Sequence, residues 1–259
     1  MTSSLPPTGA PTANAVPMTG EVTVFAAASL TDAFNEIGER FRAANPGARV
    51  AFNFAASTQL VTQLDQGARA DVFASADQTQ MDRAKRAGLV DGAEIVFARN
   101  RLVLIAPANN PGGISGPTDL ARPGLKIVTS QPDVPIGVYT QDMLDRMSRD
   151  PAFGPGFKDR VSANVVSLEA NVRQIVAKVQ LGEADAGIVY RSDVTPQAAS
   201  QLRVFDIPDD FNTVATYPIA GVPGAPNSVG GTAFVAFVLS PVGQGILTKW
   251  NFVPVRPAG

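Results

Sequence analysis

The chain has 259 residues, 45% of them hydrophobic, and a net charge of −2. That length suits one large or two medium domains with a sizeable core, and the composition is that of an ordinary globular protein. It contains neither cysteine nor histidine, which excludes a disulfide framework, thiolate metal ligation, a cysteine nucleophile and the usual imidazole base. Lys and Arg never run longer than a pair and aromatics are few, so no nucleic-acid partner is expected.

Residues 1–20 are rich in Pro, Thr, Ala, Ser and Gly, with no apolar run long enough for a signal peptide or a spanning helix. They read as a flexible linker: either a plain disordered terminus or a tether from which an export signal, with or without a lipidated cysteine, has been removed. Three strand–turn–helix units follow, with strands at 22–28, 50–54 and 71–74 and helices at 32–43, 58–66 and 77–87. Gly67 and Gly88 close the second and third helices.

Asn100-Arg-Leu-Val-Leu-Ile-Ala106 reads as one continuous buried strand. Strands at 125–129, 164–167 and 184–190 alternate with helices near 138–149 and 172–181. In the last of these helices Val172, Ile175, Val176 and Val179 share one face. Strands at 202–206 and 214–220 and a helix from about 228 to 249 complete the chain. The alternation predicts an α/β fold of two lobes, each a mostly parallel sheet flanked by helices, with a ligand cleft between them. Residues 21–99 and 196–259 are expected to form the first lobe and 100–195 the second.

Parallel strands bring the helix starts that follow them to one sheet edge, where free N–H groups and positive dipole ends face a common crevice. Ser29 and Ser57 both fall at such strand ends. A serine there is also an ordinary N-cap, but several on one edge without intervening charge point to an anion. Asn171-Val-Arg-Gln174 fits a capping box that makes Val172 the first helical residue, with a free amide. Pro135-Ile136-Gly137 likewise precedes a helix, and its glycine would permit close approach of backbone to a ligand. Tyr190 ends an apolar strand, where a buried hydroxyl needs a partner.

Catalytic patterns fail. Gly113-Ile-Ser115-Gly116 has the wrong spacing for a nucleophile elbow, and Gly154-Pro-Gly156 lacks the third glycine of a dinucleotide loop. Neither an active site, nor a bare-cation site, nor a cofactor is expected.

Four segments are similar to the periplasmic molybdate-binding proteins of ABC importers: Val24-Phe-Ala-Ala-Ala-Ser-Leu-Thr31, Ala70-Asp-Val-Phe-Ala-Ser-Ala-Asp77, Val134-Pro-Ile-Gly-Val-Tyr139 and Gly187-Ile-Val-Tyr-Arg-Ser-Asp193. The resemblance runs in order from about residue 21 to the C-terminus. It implies a type II periplasmic-binding-protein fold and an extracytoplasmic protein, free or anchored through its linker. Such a protein, working as a monomer, binds molybdate or tungstate and delivers it to a membrane permease. It implies that the oxyanion is held by hydroxyls of Ser29, Ser57 and Tyr190 and by amides at Ile136 and Val172, with Thr58 as an additional hydroxyl. Two positions depart from the family pattern: Ala56 stands where a small hydroxyl residue is often found, and Ile136 where alanine is usual. Another tetrahedral oxyanion such as sulfate or phosphate is the alternative ligand, and a regulator's sensing domain the alternative class.

Overall fold

The computed structural model describes residues 19–91 and 93–255. The linker expected over residues 1–20 therefore lies outside the described residues, except that Thr19 and Gly20 already belong to the first strand. That strand, β1 (Thr19–Ala27), pairs in parallel with β2 (Gly47–Ala55) and β3 (Val72–Ala74). Between and after them lie α1 (Thr31–Ala44), α2 (Ser57–Asp65) and α3 (Gln78–Arg86). β4 (Ile95–Asn100) completes this part of the chain.

The second sheet contains β5 (Leu102–Pro107), β6 (Ile127–Ser130), β7 (Val165–Glu169), β8 (Ala186–Tyr190) and β9 (Leu202–Asp206), in the order β7-β6-β8-β5-β9. Its helices are α4 (Pro135–Arg149), α5 (Phe157–Ala163), α6 (Val172–Gln180) and the short α7 (Pro196–Ala199). β10 (Ala215–Gly221), α8 (Ser228–Val238), α9 (Pro241–Lys249) and β11 (Val253–Pro254) then return to the first sheet, whose order is β11-β4-β10-β3-β1-β2. The fold is α/β, with two helix-flanked sheets joined by two crossings.

Parallel pairing is confined to β2-β1-β3 and β7-β6-β8; the strands nearest the crossings run antiparallel. This is what positions the site, because the C-terminal ends of the parallel strands of both sheets carry the turns into α2, α4 and α6.

Three sequence expectations are corrected. The run from Asn100 to Ala106 is two strands, since Asn100 ends β4 in one sheet and Leu102 begins β5 in the other. An apolar run records burial, which both strands share, and not the sheet to which each belongs. The strand at 202–206, assigned to the first lobe, pairs antiparallel with β5, so the second crossing is at 207–214. Asn212 pins the two crossings together: its side chain accepts from Leu102 N at 3.0 Å and donates to Leu102 O at 2.9 Å. The helix expected over 228–249 is two helices bent by 62°. The bend falls at Ser240-Pro241, where proline occupies the first turn of α9 and Ser240 accepts from Gly243 N.

Candidate functional site

A cavity of about 230 Å³ lies where the two lobes meet. Ser29 and Ser57 line it from the first lobe, and Ile136, Val172 and Tyr190 from the second. All five are buried, none more than 4% exposed. Residues separated by up to 161 positions in sequence are thus brought together by the strand ends, since β1 leads into Ser29, β2 into Ser57, and β8 ends at Tyr190.

Thr58 is not among the lining residues. It faces the adjoining groove with Thr62, Gln131 and Asp133, its hydroxyl buried without a partner among the described residues. Consecutive residues on a helix point about 100° apart, and at the start of α2 it is Ser57 that is turned to the cavity and Thr58 to the groove.

The cavity is rich in donors because its helix starts are left open. The residue before α2 is Ala56 and the residue before α4 is Val134; neither side chain can cap. Ala27, before the single 3₁₀ turn that carries Ser29, cannot cap either. α4 starts at Pro135, three residues earlier than the pattern predicts, with proline at its first position. Ile136 is therefore the second helical residue, whose N–H has no intrahelical acceptor. At α6 the side chain of Asn171 does cap, but it accepts from Arg173 N at 3.0 Å and Gln174 N at 3.3 Å, which leaves the amide of Val172 free. The close approach at Gly137 is to the protein's own backbone: a Cβ there would lie 2.1 Å from the carbonyl oxygen of Gln131. This glycine tightens the β6–α4 turn and does not itself admit a ligand, contrary to the sequence reading.

Each hydroxyl has a hydrogen to give. Ser57 Oγ accepts from Ala76 N at 3.0 Å, so its own proton is available to the cavity. The Tyr190 hydroxyl is buried with no partner among the described residues. Burial, with Tyr217, Tyr139, Asp77 and Asp193 adding to it, pushes this phenol well above its usual pKa and keeps it a protonated donor. Ser29 Oγ lies 2.9 Å from the hydroxyl of Tyr217.

Among the described residues no lysine or arginine lines the cavity. The cation adjoining it in sequence, Arg173, is already engaged. Its guanidinium reaches the Asp32 carboxylate at 2.5 Å, the Ala28 carbonyl at 3.3 Å and the Asp193 carboxylate at 3.3 Å. Asp32 and Ala28 belong to the first lobe and Arg173 to the second, so the side chain ties the lobes shut beside the site. Burial raises Asp193 to about 6, an effect that Arg173 opposes. Sequence reasoning missed Arg173, Asp193 and Tyr217; the one available signal was a tyrosine in the apolar strand Ala215-Thr-Tyr-Pro-Ile-Ala-Gly221. Among the described residues no cluster of His, Cys, Asp or Glu could hold a metal ion.

A cleft between two crossed-over α/β lobes, closed around neutral donors, defines a solute-binding protein, and the sequence agrees. The profile of the family of bacterial extracellular solute-binding proteins matches residues 22–253, and the chain belongs to that family. It is homologous to the molybdate-binding protein ModA of Mycobacterium tuberculosis, with 42% identity over 231 residues, 89% of this chain and 84% of the relative. Among solved structures, the periplasmic molybdate-binding protein of Azotobacter vinelandii superposes with a TM-score of 0.79 at 20% identity, covering 91% of this chain and 100% of that one. The sulfate-binding protein SubI of Mycobacterium tuberculosis superposes equally well, with a TM-score of 0.80 at 22% identity over 93% of this chain and 88% of that one. At these identities both show the type II periplasmic-binding fold and no more.

Proposed function

We propose that this protein binds one molybdate ion per chain, and tungstate in the same manner, outside the cytoplasm and delivers it to the permease of an ABC importer. The observation that carries this reading is the convergence of three hydroxyls and two free helix-start amides on one cavity lined by no charged side chain. Donors alone suit an oxyanion that has no proton of its own, held by charge-assisted hydrogen bonds and helix dipoles. Phosphate is less well matched because at neutral pH it carries a proton, and among the five named groups only hydroxyl lone pairs could accept it, at the expense of a donor. The homology to molybdate-binding proteins favours molybdate over sulfate, which has the same charge and the same lack of protons.

The site binds and releases without covalent chemistry: the hydrogen-bond partners of the two serines are a tyrosine hydroxyl and a backbone amide, and neither is a general base. The donors come from both lobes of one chain, so a monomer suffices and binding is coupled to closure about the crossings at Arg101 and 207–214. A thermal-shift panel tests the assignment. Molybdate and tungstate should raise the melting temperature well beyond sulfate or phosphate at equal concentration, because a ligand of the native state alone stabilises it. A larger shift with sulfate would replace the ligand and keep the site; no shift with any oxyanion would refute both.

A further inference from the structure

We propose that Tyr217, which does not line the cavity, is a positioning residue that fixes the Ser29 hydroxyl as a donor to the oxyanion. The proposal rests on the oxyanion-binding reading above and follows from counting protons in a buried chain of four side chains.

Asn100 is fully buried, and its Oδ1 accepts from Arg101 N at 2.9 Å. That bond fixes the orientation of the amide, because the flipped group would set two donors against each other. Its Nδ2 donates to Ser192 Oγ at 2.8 Å and faces the Tyr217 hydroxyl at 3.5 Å. An amide nitrogen has no acceptor to offer, so Tyr217 cannot donate in that direction however weak the contact. Tyr217 is itself fully buried, and Ser29 Oγ is the other hydrogen-bonding partner of its hydroxyl among the described residues. If Ser29 donated to Tyr217, the phenol proton would be buried without an acceptor, an expensive arrangement. Tyr217 therefore donates to Ser29, and the Ser29 proton turns into the cavity. Burial holds Tyr217 protonated by raising its pKa, which keeps the relay in place at neutral pH. With one lone pair taken by Tyr217 and its proton turned into the cavity, Ser29 is held as a donor to an oxyanion.

A double-mutant cycle separates this role from packing. Tyr217→Phe keeps the ring and its edge-on contacts with Phe97 and Phe252. Calorimetric titration should show molybdate binding weakened by about 3- to 10-fold. The same substitution made in a Ser29→Ala protein should have almost no further effect. Additive losses, or a Tyr217→Phe protein that binds as wild type does, would overturn the relay. If the wild-type protein fails to bind molybdate at all, the binding reading falls and the relay with it; if wild type binds and Ser29→Ala binds equally well, the relay falls because Ser29 is not in the site.

Discussion

Three of the four helical starts that line the cavity lack a side-chain cap, whereas most α-helices elsewhere among the described residues have one. Ala27, Ala56 and Val134 precede the turns that carry Ser29, Ser57 and Ile136, and none of them can accept a hydrogen bond through its side chain. Asn171 caps the fourth, α6, but leaves its first amide free. Away from the cavity, Asn227 caps α8, Ser240 caps α9 and Thr195 caps α7, while α1 and α5 begin after Leu30 and Gly156 without one. Even α3, which starts two residues after the lining residue Ala76, is closed by Asp77, which accepts from Gln80 N at 2.8 Å. A polar cap is worth about 0.5–2 kcal/mol to a helix. On the proposed reading, the stability of a cap is forgone at these three starts so that their amides can serve a dianion.

The comparison breaks most sharply if a cap is supplied where one is missing. Ala56→Asp should stabilise the unliganded protein by about 1 kcal/mol through the N-terminus of α2. The same carboxylate at the cavity wall would repel a dianion by about 4 kcal/mol or more, a loss of at least about a thousandfold in affinity. Chemical denaturation and calorimetry should thus move in opposite directions. A variant that gains stability and still binds normally would show that the start of α2 does not serve the ligand.

Tyr190→Phe should come next, with a loss of about 1.5–3 kcal/mol in oxyanion affinity. Because the hydroxyl has no partner among the described residues, the unliganded variant should be at least as stable as wild type. A loss of stability without a loss of affinity would mean that the hydroxyl serves the fold.

Ser240→Ala provides the converse at a capped start. It should lower stability by about 1 kcal/mol, in unfolding by denaturant, and leave affinity unchanged. The smallest effect expected is that of salt. With no cation on the lining and closed-cleft contacts poorly screened, the dissociation constant should change little between low and high ionic strength. A steep dependence in titrations would implicate a basic side chain such as Arg173 in direct contact with the ion.

Much of this was legible in the sequence, for identifiable reasons. Ser29 and Ser57 mark strand–turn–helix junctions, and parallel pairing forces such junctions to one edge. Asn171 announces the start of α6 by its capping pattern, so the free amide of Val172 could be placed to the residue. What stayed hidden depends on three-dimensional choice. Nothing local separates Asn100 from Leu102, yet they lie in different sheets, and β9 joins β5 although the sequence beside it reads equally well as the first lobe. Thr58, given by the family resemblance, lies in the adjoining groove, and the direction in which a side chain leaves a helix start is not written in a motif. Tyr217 and Arg173 act through partners 188 and 141 residues away in sequence, distances over which no periodicity speaks.

The central claim of the proposed reading is that free backbone amides at helix starts hold the ligand, and Val172→Pro tests it most directly. Val172 is the first residue of α6, where proline is tolerated, and Asn171 already has the extended φ of −160° and ψ of 167° that a following proline accepts. Val172→Ala, which trims the side chain but keeps the amide, controls for packing. The expected result is a proline variant with wild-type circular dichroism and molybdate affinity reduced by about 10- to 150-fold, about 1.5–3 kcal/mol, beside an alanine variant that binds nearly as wild type. A folded Val172→Pro protein with wild-type affinity would contradict the account.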